Sequence, residues 1–316
     1  MGLATFIGGI HPFEGKELSE DKPIKYLEPL QGEVMVYPLS QHIGAPAKPL
    51  VAKGDHVLKG QIIAEAGGFI SANVLSSVSG TVKGIESKLV ANGAMVQSIL
   101  VENDGEEEAI EGFGTDRDAS KLSKEEIRQI VKDAGIVGLG GAGFPTHVKL
   151  TPKDENAIDY VIVNGAECEP YLNGDHLTMK NHPEELLKGI ELARIASGLD
   201  KAYYGIEKNK QDAIDLLLSK NPAQYGVEIV PENVKYPQGA EKMQIKAITN
   251  REVKPGGLPS GVGCNVISTQ TAYAIYRACY EGMPSIERVL TVAGSAMGDK
   301  SYNLQCRFGT PFSYIV

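Results

Sequence analysis

Short apolar runs separated by turn-forming residues characterise the first third of the chain. Gly, Pro, Asp and Asn interrupt these runs, and no helical period is visible between residues 30 and 101. The clearest runs cover residues 33–37, 57–64, 80–85 and 95–101. This pattern predicts an all-β unit, preceded by an irregular lead-in over residues 1–20.

A different pattern follows residue 120, where strands alternate with helices. Ser123 and Glu126 form a capping box that begins a helix, and Gly135 ends it. Pro183 begins another helix, which Gly198 ends. Further helices are predicted at residues 212–218, 241–248 and 272–280, and strands at residues 160–163, 202–206, 227–230, 262–267 and 289–292. The alternation predicts a layered α/β domain with a largely parallel sheet.

Composition narrows the class of protein. Apolar residues make up 42% and charged residues 22% of the chain, which is ordinary globular usage and excludes a disordered or fibrous protein. The formal net charge of −9 argues against a nucleic-acid-binding surface. Glycine supplies 36 of 316 residues, more than the ~7% of an average protein, which indicates many tight turns or backbone segments that approach a ligand.

Cysteine and histidine give no metal-binding pattern. The cysteines are Cys168, Cys264, Cys279 and Cys306; none forms a CxxC pair, so we expect neither a zinc knuckle nor an iron–sulfur motif within this chain. The six histidines contain no ligand pair such as HExxH. Scattered cysteines fit a reducing compartment, and we expect neither a signal peptide nor a membrane-spanning segment.

Two further segments carry local predictions. Residues 102–111 contain six carboxylates, which predicts a solvated linker, with an acidic docking site as the alternative. The apolar run over residues 311–316 predicts a strand, and we expect the protein to continue beyond it.

The all-β unit resembles a biotinyl or lipoyl barrel-sandwich domain. Residues 53–61 (Lys-Gly-Asp-His-Val-Leu-Lys-Gly-Gln) and 76–82 (Ser-Ser-Val-Ser-Gly-Thr-Val) are similar to the two halves of that motif. A carrier domain presents a lysine between the halves, but residues 66–73 contain none. We therefore expect a scaffold rather than a swinging prosthetic arm.

The segment over residues 138–146, Gly-Leu-Gly-Gly-Ala-Gly-Phe-Pro-Thr, is the most informative. Its glycines leave backbone N–H groups free to approach a phosphate or a flat ring, with a glycine-rich hinge as the alternative. Gly138, Gly140 and Gly143 match GxGxxG, but that dinucleotide fingerprint needs a preceding strand and a helix that opens within it. Here a helix precedes the loop and Pro145 follows Phe144, so we do not expect this fingerprint.

Two other segments carry polar candidates. Residues 164–171 follow a predicted strand, and ligands of parallel sheets lie beyond the carboxyl ends of strands. There Asn164 could pair with a heterocycle edge, and Glu167 and Glu169 could accept from ribose hydroxyls, or the segment is a surface loop. Cys168 as a redox thiol is a weaker alternative. Residues 236–242 open a helix, and Gly239 at its start, with Glu241 and Lys242 nearby, indicates an anion site.

The order and spacing of these segments resemble the RnfC family, the NADH-oxidising peripheral subunits of Rnf electron-transport complexes. They are also similar to the flavoprotein subunit of respiratory complex I, and to RnfC-like proteins associated with proline reductase. The matching segments are residues 6–12, 41–46, 138–145, 164–170, 236–242 and 257–259. The resemblance implies a barrel-sandwich domain over residues 1–112, a Rossmann-like α/β flavin-binding domain over 113–287 and the start of a β-grasp-like domain over 288–316.

The resemblance also implies non-covalently bound FMN with NADH stacked on its ring. The flavin would carry the chemistry, so no catalytic side chain is expected. Lys149 would lie near the FMN, Phe144 near the adenine and Glu169 near the NADH ribose. The implied cofactor-binding residues are Gly138, Gly140, Gly141, Ala142, Gly143, Phe144, Lys149, Asn164, Glu167, Glu169, Gly239, Glu241 and Ser268.

The implied setting is the cytoplasmic face of a membrane, where the chain would bind other subunits of an electron-transport complex and ferredoxin-like or flavin redox partners, but no nucleic acid. Iron–sulfur (4Fe-4S) clusters are expected only in a C-terminal region absent from this chain. Ala166, Ala240 and Ser268 differ from the complex I pattern. The alternative is therefore an electron-transfer or docking protein, for example one serving proline reductase, that lacks bound flavin.

Overall fold

The computed structural model describes residues 3–154, 157–297 and 300–316. The strands are β1 (Ile24–Leu27), β2 (Val34–Pro38), β3 (Lys48–Pro49), β4 (His56–Val57), β5 (Ile62–Glu65), β6 (Val74–Leu75), β7 (Gly80–Leu89), β8 (Met95–Asn103), β9 (Tyr160–Gly165), β10 (Ala202–Glu207), β11 (Val227–Glu232), β12 (Cys264–Ser268), β13 (Glu287–Val292) and β14 (Tyr302–Arg307). The α-helices are α1 (Lys124–Asp133), α2 (Thr146–Leu150), α3 (Gly174–Asn181), α4 (Pro183–Ala196), α5 (Gln211–Ser219), α6 (Glu241–Thr249), α7 (Thr269–Tyr280) and α8 (Phe312–Ile315).

The first unit consists of two small sheets, and this confirms the all-β prediction. One sheet is antiparallel with the order β2-β8-β7-β4, and the other has the order β3-β5-β6. Their inner faces enclose a core that includes Met35, Val57, Ile63, Ile99 and Val101. The single strand predicted over residues 57–64 is instead two strands, because a turn between Leu58 and Gln61 separates β4 from β5.

The acidic segment is largely exposed, as a solvated linker should be, but Glu107 ties it to the rest of the protein. Glu107 accepts hydrogen bonds from Lys59 Nζ at 2.6 Å and from both terminal nitrogens of Arg307 at 2.5 and 2.6 Å. The backbone N–H of Lys59 also donates to Glu108 O at 2.8 Å. The charge pattern alone could not show that two cations, one of them 200 residues away, bind Glu107.

The second unit is a parallel four-stranded sheet with the order β11-β10-β9-β12, flanked by helices. It confirms the α/β prediction, and α1, α4, α5, α6 and α7 occupy the predicted helix positions. α1 begins with the predicted capping box, in which the Ser123 hydroxyl accepts from Glu126 N and the Glu126 carboxylate accepts from Ser123 N. After β11 the chain returns to the other side of β9, so the strand order reverses between β9 and β12.

A third sheet joins the two ends of the chain. β1 pairs in parallel with β14, and β14 pairs antiparallel with β13. This pairing crosses the boundaries expected at residues 112 and 288, because β1 lies in the segment assigned to the first domain and β14 in the segment assigned to the last. The segment after Pro311 is the helix α8 rather than the predicted strand. Tyr302 Oη donates to Ile315 O at the end of this helix, and Ile315 is buried against β13 and β14.

Candidate functional site

The sheet topology indicates which edge of the α/β unit is expected to bind a ligand. Asn164 near the end of β9 is in register with Ser268 at the end of β12. The strand order reverses between these two strands. A parallel sheet opens a crevice at the carboxyl ends of its strands where the order reverses, and ligands bind there. Asn164 and Ser268 therefore mark the expected crevice.

The glycine-rich segment forms a closed loop beside this crevice. Gly138 N donates to Phe144 O at 2.8 Å, and Thr146 N donates to Ile136 O at 3.0 Å. The adjacent helix, α2, begins only at Thr146. The loop is thus a hairpin-like closure and not a strand-to-helix turn, which agrees with the expectation that the dinucleotide fingerprint is absent.

Contacts on both sides hold the glycine loop against the crevice. Leu139 N donates to Thr271 Oγ1 in the first turn of α7 at 3.0 Å, and Arg288 Nη2 donates to Leu139 O at 3.1 Å. A Cβ atom added to Gly140 would lie 3.1 Å from Ser268 Cβ. These contacts place the backbone of Gly140 against the end of β12. A side chain on Gly140 would be too close to Ser268.

The outer face of the same loop is open. Gly140, Gly141 and Ala142 are exposed, and a Cβ atom on Gly141 would meet nothing within 4 Å. Gly143, with φ +62°, faces the first unit, because a Cβ there would lie 2.6 Å from Gln41 O. The loop is therefore a cradle with an unobstructed backbone surface, and this arrangement fits a phosphate-bearing flat ligand such as FMN.

A cation and an anion meet at the adjacent edge. Lys149 Nζ on α2 donates to Glu241 Oε1 at 2.9 Å and to Val266 O at 2.7 Å. Glu241 is the first residue of α6. The ion pair is partly exposed, so solvent screening leaves it modest strength and both groups accessible to a ligand.

The structure brings Asn164 and Gly239 together. Asn164 Nδ2 donates to Gly239 O at 2.6 Å, and Asn164 Oδ1 accepts from Ala166 N at 3.2 Å. Gly239 N donates to Cys168 Sγ at 3.1 Å. A Cβ on Gly239 would lie 3.2 Å from that sulfur, so only glycine fits without displacing it.

The two glutamates of this segment diverge. Both carboxylate oxygens of Glu167 bind the first turn of α3, accepting from Asp175 N at 2.7 Å and His176 N at 3.2 Å. Glu169 is exposed and lines a separate depression together with His11 and Tyr236. The Glu169 carboxylate is thus accessible for the expected contact with a ribose. The Glu167 carboxylate, in contrast, already caps α3.

The Cys168 thiol is poorly suited to redox chemistry. Burial and the neighbouring Glu169 carboxylate raise its pKa to about 11, so the thiol stays protonated near neutral pH. The thiolate is the reactive form of cysteine.

Within residues 3–154, 157–297 and 300–316, no group of three or more His, Cys, Asp or Glu side chains could hold a metal ion.

Several site residues lie outside the sequence-based set. Lys16 and Lys210 are buried beneath residues 166–172, and Arg288 holds the glycine loop. Asp175 is half-buried beside Glu167, and its loss of solvation and the Glu167 charge raise its pKa, to about 7. No local pattern marks these residues, because their partners lie far away along the chain.

Comparison with known proteins agrees with this architecture. Residues 4–106 match the RnfC barrel sandwich hybrid domain, and residues 131–277 match the Nuo51 FMN-binding domain. A relative from Clostridium ljungdahlii, named as a component of a proton-translocating ferredoxin:NAD(+) oxidoreductase complex, is 43% identical over 98% of this chain and 67% of its own length. The Na(+)-translocating counterpart from Acetobacterium woodii is 41% identical over 99% of this chain and 70% of its own length. The chain belongs to the RnfC family.

Other relatives of the RnfC family are longer. A component of the ion-translocating oxidoreductase complex of Haemophilus influenzae is 37% identical, and this chain covers 48% of its length. Among solved structures, an NAD+-reducing NiFe-hydrogenase matches 61% of this chain and 38% of its own, with a TM-score of 0.53 and 24% identity, which shows a shared fold. No helix of the described residues is long and apolar enough to cross a membrane.

Proposed function

We propose that this chain is the FMN-binding, NADH-oxidising part of a ferredoxin:NAD+ oxidoreductase complex. The observation that carries the proposal is the open backbone of Gly140–Ala142 at the crevice between β9 and β12. The match of residues 131–277 to the Nuo51 FMN-binding domain and the names of the relatives support it.

Most residues assigned to the cofactors lie around this crevice, whereas Glu169 lines a separate depression and Glu167 caps α3. The glycine loop would bind phosphate and nucleotide through backbone N–H groups, and Ser268 and Asn164 would flank the ring at the two strand ends. FMN held by these residues would supply the chemistry of hydride acceptance from NADH and one-electron release. The proposed binding residues are Gly138, Gly140, Gly141, Ala142, Gly143, Phe144, Lys149, Asn164, Glu169, Gly239, Glu241 and Ser268, with Glu167 in an indirect role.

The chain itself supplies orientation and charge. Lys149, held between Glu241 and the Val266 carbonyl, places a positive charge beside the crevice, where it would stabilise negative charge that develops on a bound ligand. Glu169 is exposed and free to accept from a ribose hydroxyl. Glu167 would act by capping α3 rather than by direct contact.

The wider setting follows from the family. We place the chain peripherally on the cytoplasmic face of a membrane, bound to other subunits of the complex and passing electrons to ferredoxin-like or flavin partners. Iron–sulfur clusters of the complex would be held outside the described residues of this chain.

The proposed function is tested by FMN titration. Quenching of flavin fluorescence should saturate at micromolar FMN, and the loaded protein should then reduce ferricyanide with NADH as electron donor. An absence of binding at about 50 µM FMN, equivalent to a binding free energy weaker than about 6 kcal/mol, would contradict the proposal.

One observation favours a second candidate, a docking protein that has lost its flavin. The amide of Asn164 and the carboxylate of Glu167 are already satisfied by partners within the chain. This candidate predicts that FMN does not bind while the folded chain still associates with a redox partner. A pull-down with the membrane subunits of the complex, with and without FMN, separates the two candidates.

A further inference from the structure

A pair of buried lysines holds the loop of residues 166–172, here called the site loop. Lys16 Nζ donates to Glu167 O at 2.9 Å, to Glu169 O at 3.2 Å and to Leu172 O at 2.5 Å. An ammonium group has three donors, and Lys16 uses all of them on this loop. Lys210 Nζ donates to a fourth carbonyl, that of Ala166, at 2.6 Å.

Burial makes these ammonium groups costly. Lys16 is 7% exposed and Lys210 1% exposed. A buried ammonium is unfavourable unless hydrogen bonds and counter-charges compensate. The nearest carboxylate measured from Lys210 Nζ is that of Glu207, at 4.0 Å, too long for a hydrogen bond. The close partners of the two ammonium groups are therefore the carbonyls of the site loop and Asn209 Oδ1, which accepts from Lys210 Nζ at 3.2 Å. Four carbonyl dipoles that converge on two cations would separate if the cations were removed.

The site loop in turn sets two of the residues assigned to the cofactor. Ala166 N donates to Asn164 Oδ1, and Cys168 Sγ accepts from Gly239 N. Gly239 also accepts from the Asn164 amide and lies two residues before α6. A shift of the site loop would therefore displace the Asn164 amide and the start of α6 together.

We propose that Lys16 is a positioning residue for the cofactor site: it holds the site loop in the conformation that presents Asn164 and Gly239 to the ligand, and Lys210 supports the same loop. This role rests on the proposed function. It makes the N-terminal segment, about 150 residues before the site loop in the chain, a part of the cofactor-binding machinery.

The conformational half of the proposal is tested without FMN. Lys16→Met removes the donors, and Lys22→Met is the matched control, because Lys22 Nζ in the same segment donates to Ser301 O instead. In Lys16→Met, amide exchange across residues 166–172 should accelerate and Cys168 should react with a thiol reagent about tenfold faster, as hydrogen bonds to a charged donor are lost. Unchanged exchange in Lys16→Met, or an equal increase in Lys22→Met, would overturn the proposal.

The functional half is tested on the FMN-loaded protein. Lys16→Met should raise the Kd for FMN about ten- to hundredfold, with a larger change in KM for NADH than in kcat, while Lys22→Met stays at the parent values. Lys16→Arg keeps the charge and several donors, and should restore part of the affinity. If Lys16→Met does not fold, Lys16→Gln replaces it with the same expected direction.

The outcomes separate the two proposals. Accelerated exchange in the site loop with an unchanged FMN Kd would overturn the positioning role and leave the proposed function intact. Failure of the parent chain to bind FMN would contradict the proposed function and the cofactor role of Lys16 together, while the exchange experiment would still report whether Lys16 orders the site loop.

Discussion

At the scale of single residues, the site depends on glycines, which have no side chain. A Cβ on Gly140 would press on Ser268, and one on Gly239 would press on Cys168. Gly141 differs, because a Cβ there meets no protein atom and would point into the open face of the loop. Gly140 and Gly239 thus permit close packing within the chain, whereas Gly141 keeps space for a ligand.

The role of Gly141 is tested by Gly141→Val. Gly141 has φ +124°, and Gly294 has φ +128° and equally open surroundings, so Gly294→Val carries a similar backbone strain. We expect Gly141→Val to abolish FMN binding in a fluorescence titration, and Gly294→Val to bind as the parent does. Equal FMN affinities for the parent and Gly141→Val would show that the loop is no cradle.

A second prediction concerns Glu167 and Glu169. Glu167 caps α3, whereas Glu169 is exposed and is proposed to contact NADH. Glu167→Gln should lower the free energy of unfolding by about 1–2 kcal/mol, because the charged cap of α3 is lost. Glu169→Gln should leave stability unchanged and raise KM for NADH. Urea denaturation and steady-state kinetics measure the two effects. The opposite pattern, with Glu169→Gln as the destabilising variant, would contradict both assignments.

At the scale of elements, α4 and α7 cross closely at Gly189. A Cβ on Gly189 would lie 2.1 Å from Ala272 O, a contact that no rotamer change relieves. Gly189→Ala should therefore destabilise the protein by roughly 1–3 kcal/mol through overpacking, although alanine favours a helix interior by ~1 kcal/mol. Thermal unfolding of the variant provides the measurement. A higher Tm than the parent would mean that the helices separate easily.

Elements with local signals could be predicted from the sequence. The capping box of α1 and Pro183 at the start of α4 act within one turn of the helix, so their residues are adjacent in the chain. α3 lacks such a signal, because its N-terminal N–H groups bind Glu167 while the Asn173 amide serves Lys16 O. β1 pairs with a strand almost 280 residues later, and no local pattern reports that partner.

In the candidate site, too, the residues with a local signal could be predicted from the sequence, and those that depend on distant partners could not. The glycine loop and Asn164 could be placed from composition and from the rule that ligands bind at strand ends, and Glu241 from the glycine that precedes its helix. Which carboxylate caps a helix and which one faces solvent depends on the path of the chain after β9. The same holds for Lys16, whose partners lie about 150 residues away.

At the scale of the whole molecule, a group of charged side chains is one of the contacts that join the units. Arg307 at the end of β14 bonds Glu107 after β8, the hydroxyl of Tyr26 in β1 and the carbonyl of Ser77. Lys59 completes this group on the side of the first unit. The group links the third sheet to the first unit, which also reaches the glycine loop through Gln41. Loosening it would therefore weaken one of the contacts of the barrel-sandwich unit, which is also joined to the rest of the chain by hydrogen bonds from Ser77 Oγ to Phe308 O and from Val36 N to Gly309 O.

This junction should respond to pH in a defined direction. Hydrogen bonds from Arg307 lower the pKa of Glu107 from 4.5 to about 2, so the native state binds the proton more weakly than the unfolded chain does. The stabilisation is complete above pH ~4.5 and is lost as pH falls towards ~2. Because Glu107 is partly exposed, we expect Glu107→Gln to cost about 1–2 kcal/mol at pH 7 rather than the full value of the shift.

The deficit of Glu107→Gln should shrink steadily between pH 5 and pH ~2.5, since the protonated carboxyl group of the parent then resembles the amide. Urea denaturation of both proteins across this range measures it. Lys83–Glu102 provides a control, because this ion pair of the same unit is exposed on both sides, and Glu102→Gln should change stability little at any pH. A Glu107→Gln deficit that persists unchanged at pH ~2.5 would mean that shape rather than charge holds the junction.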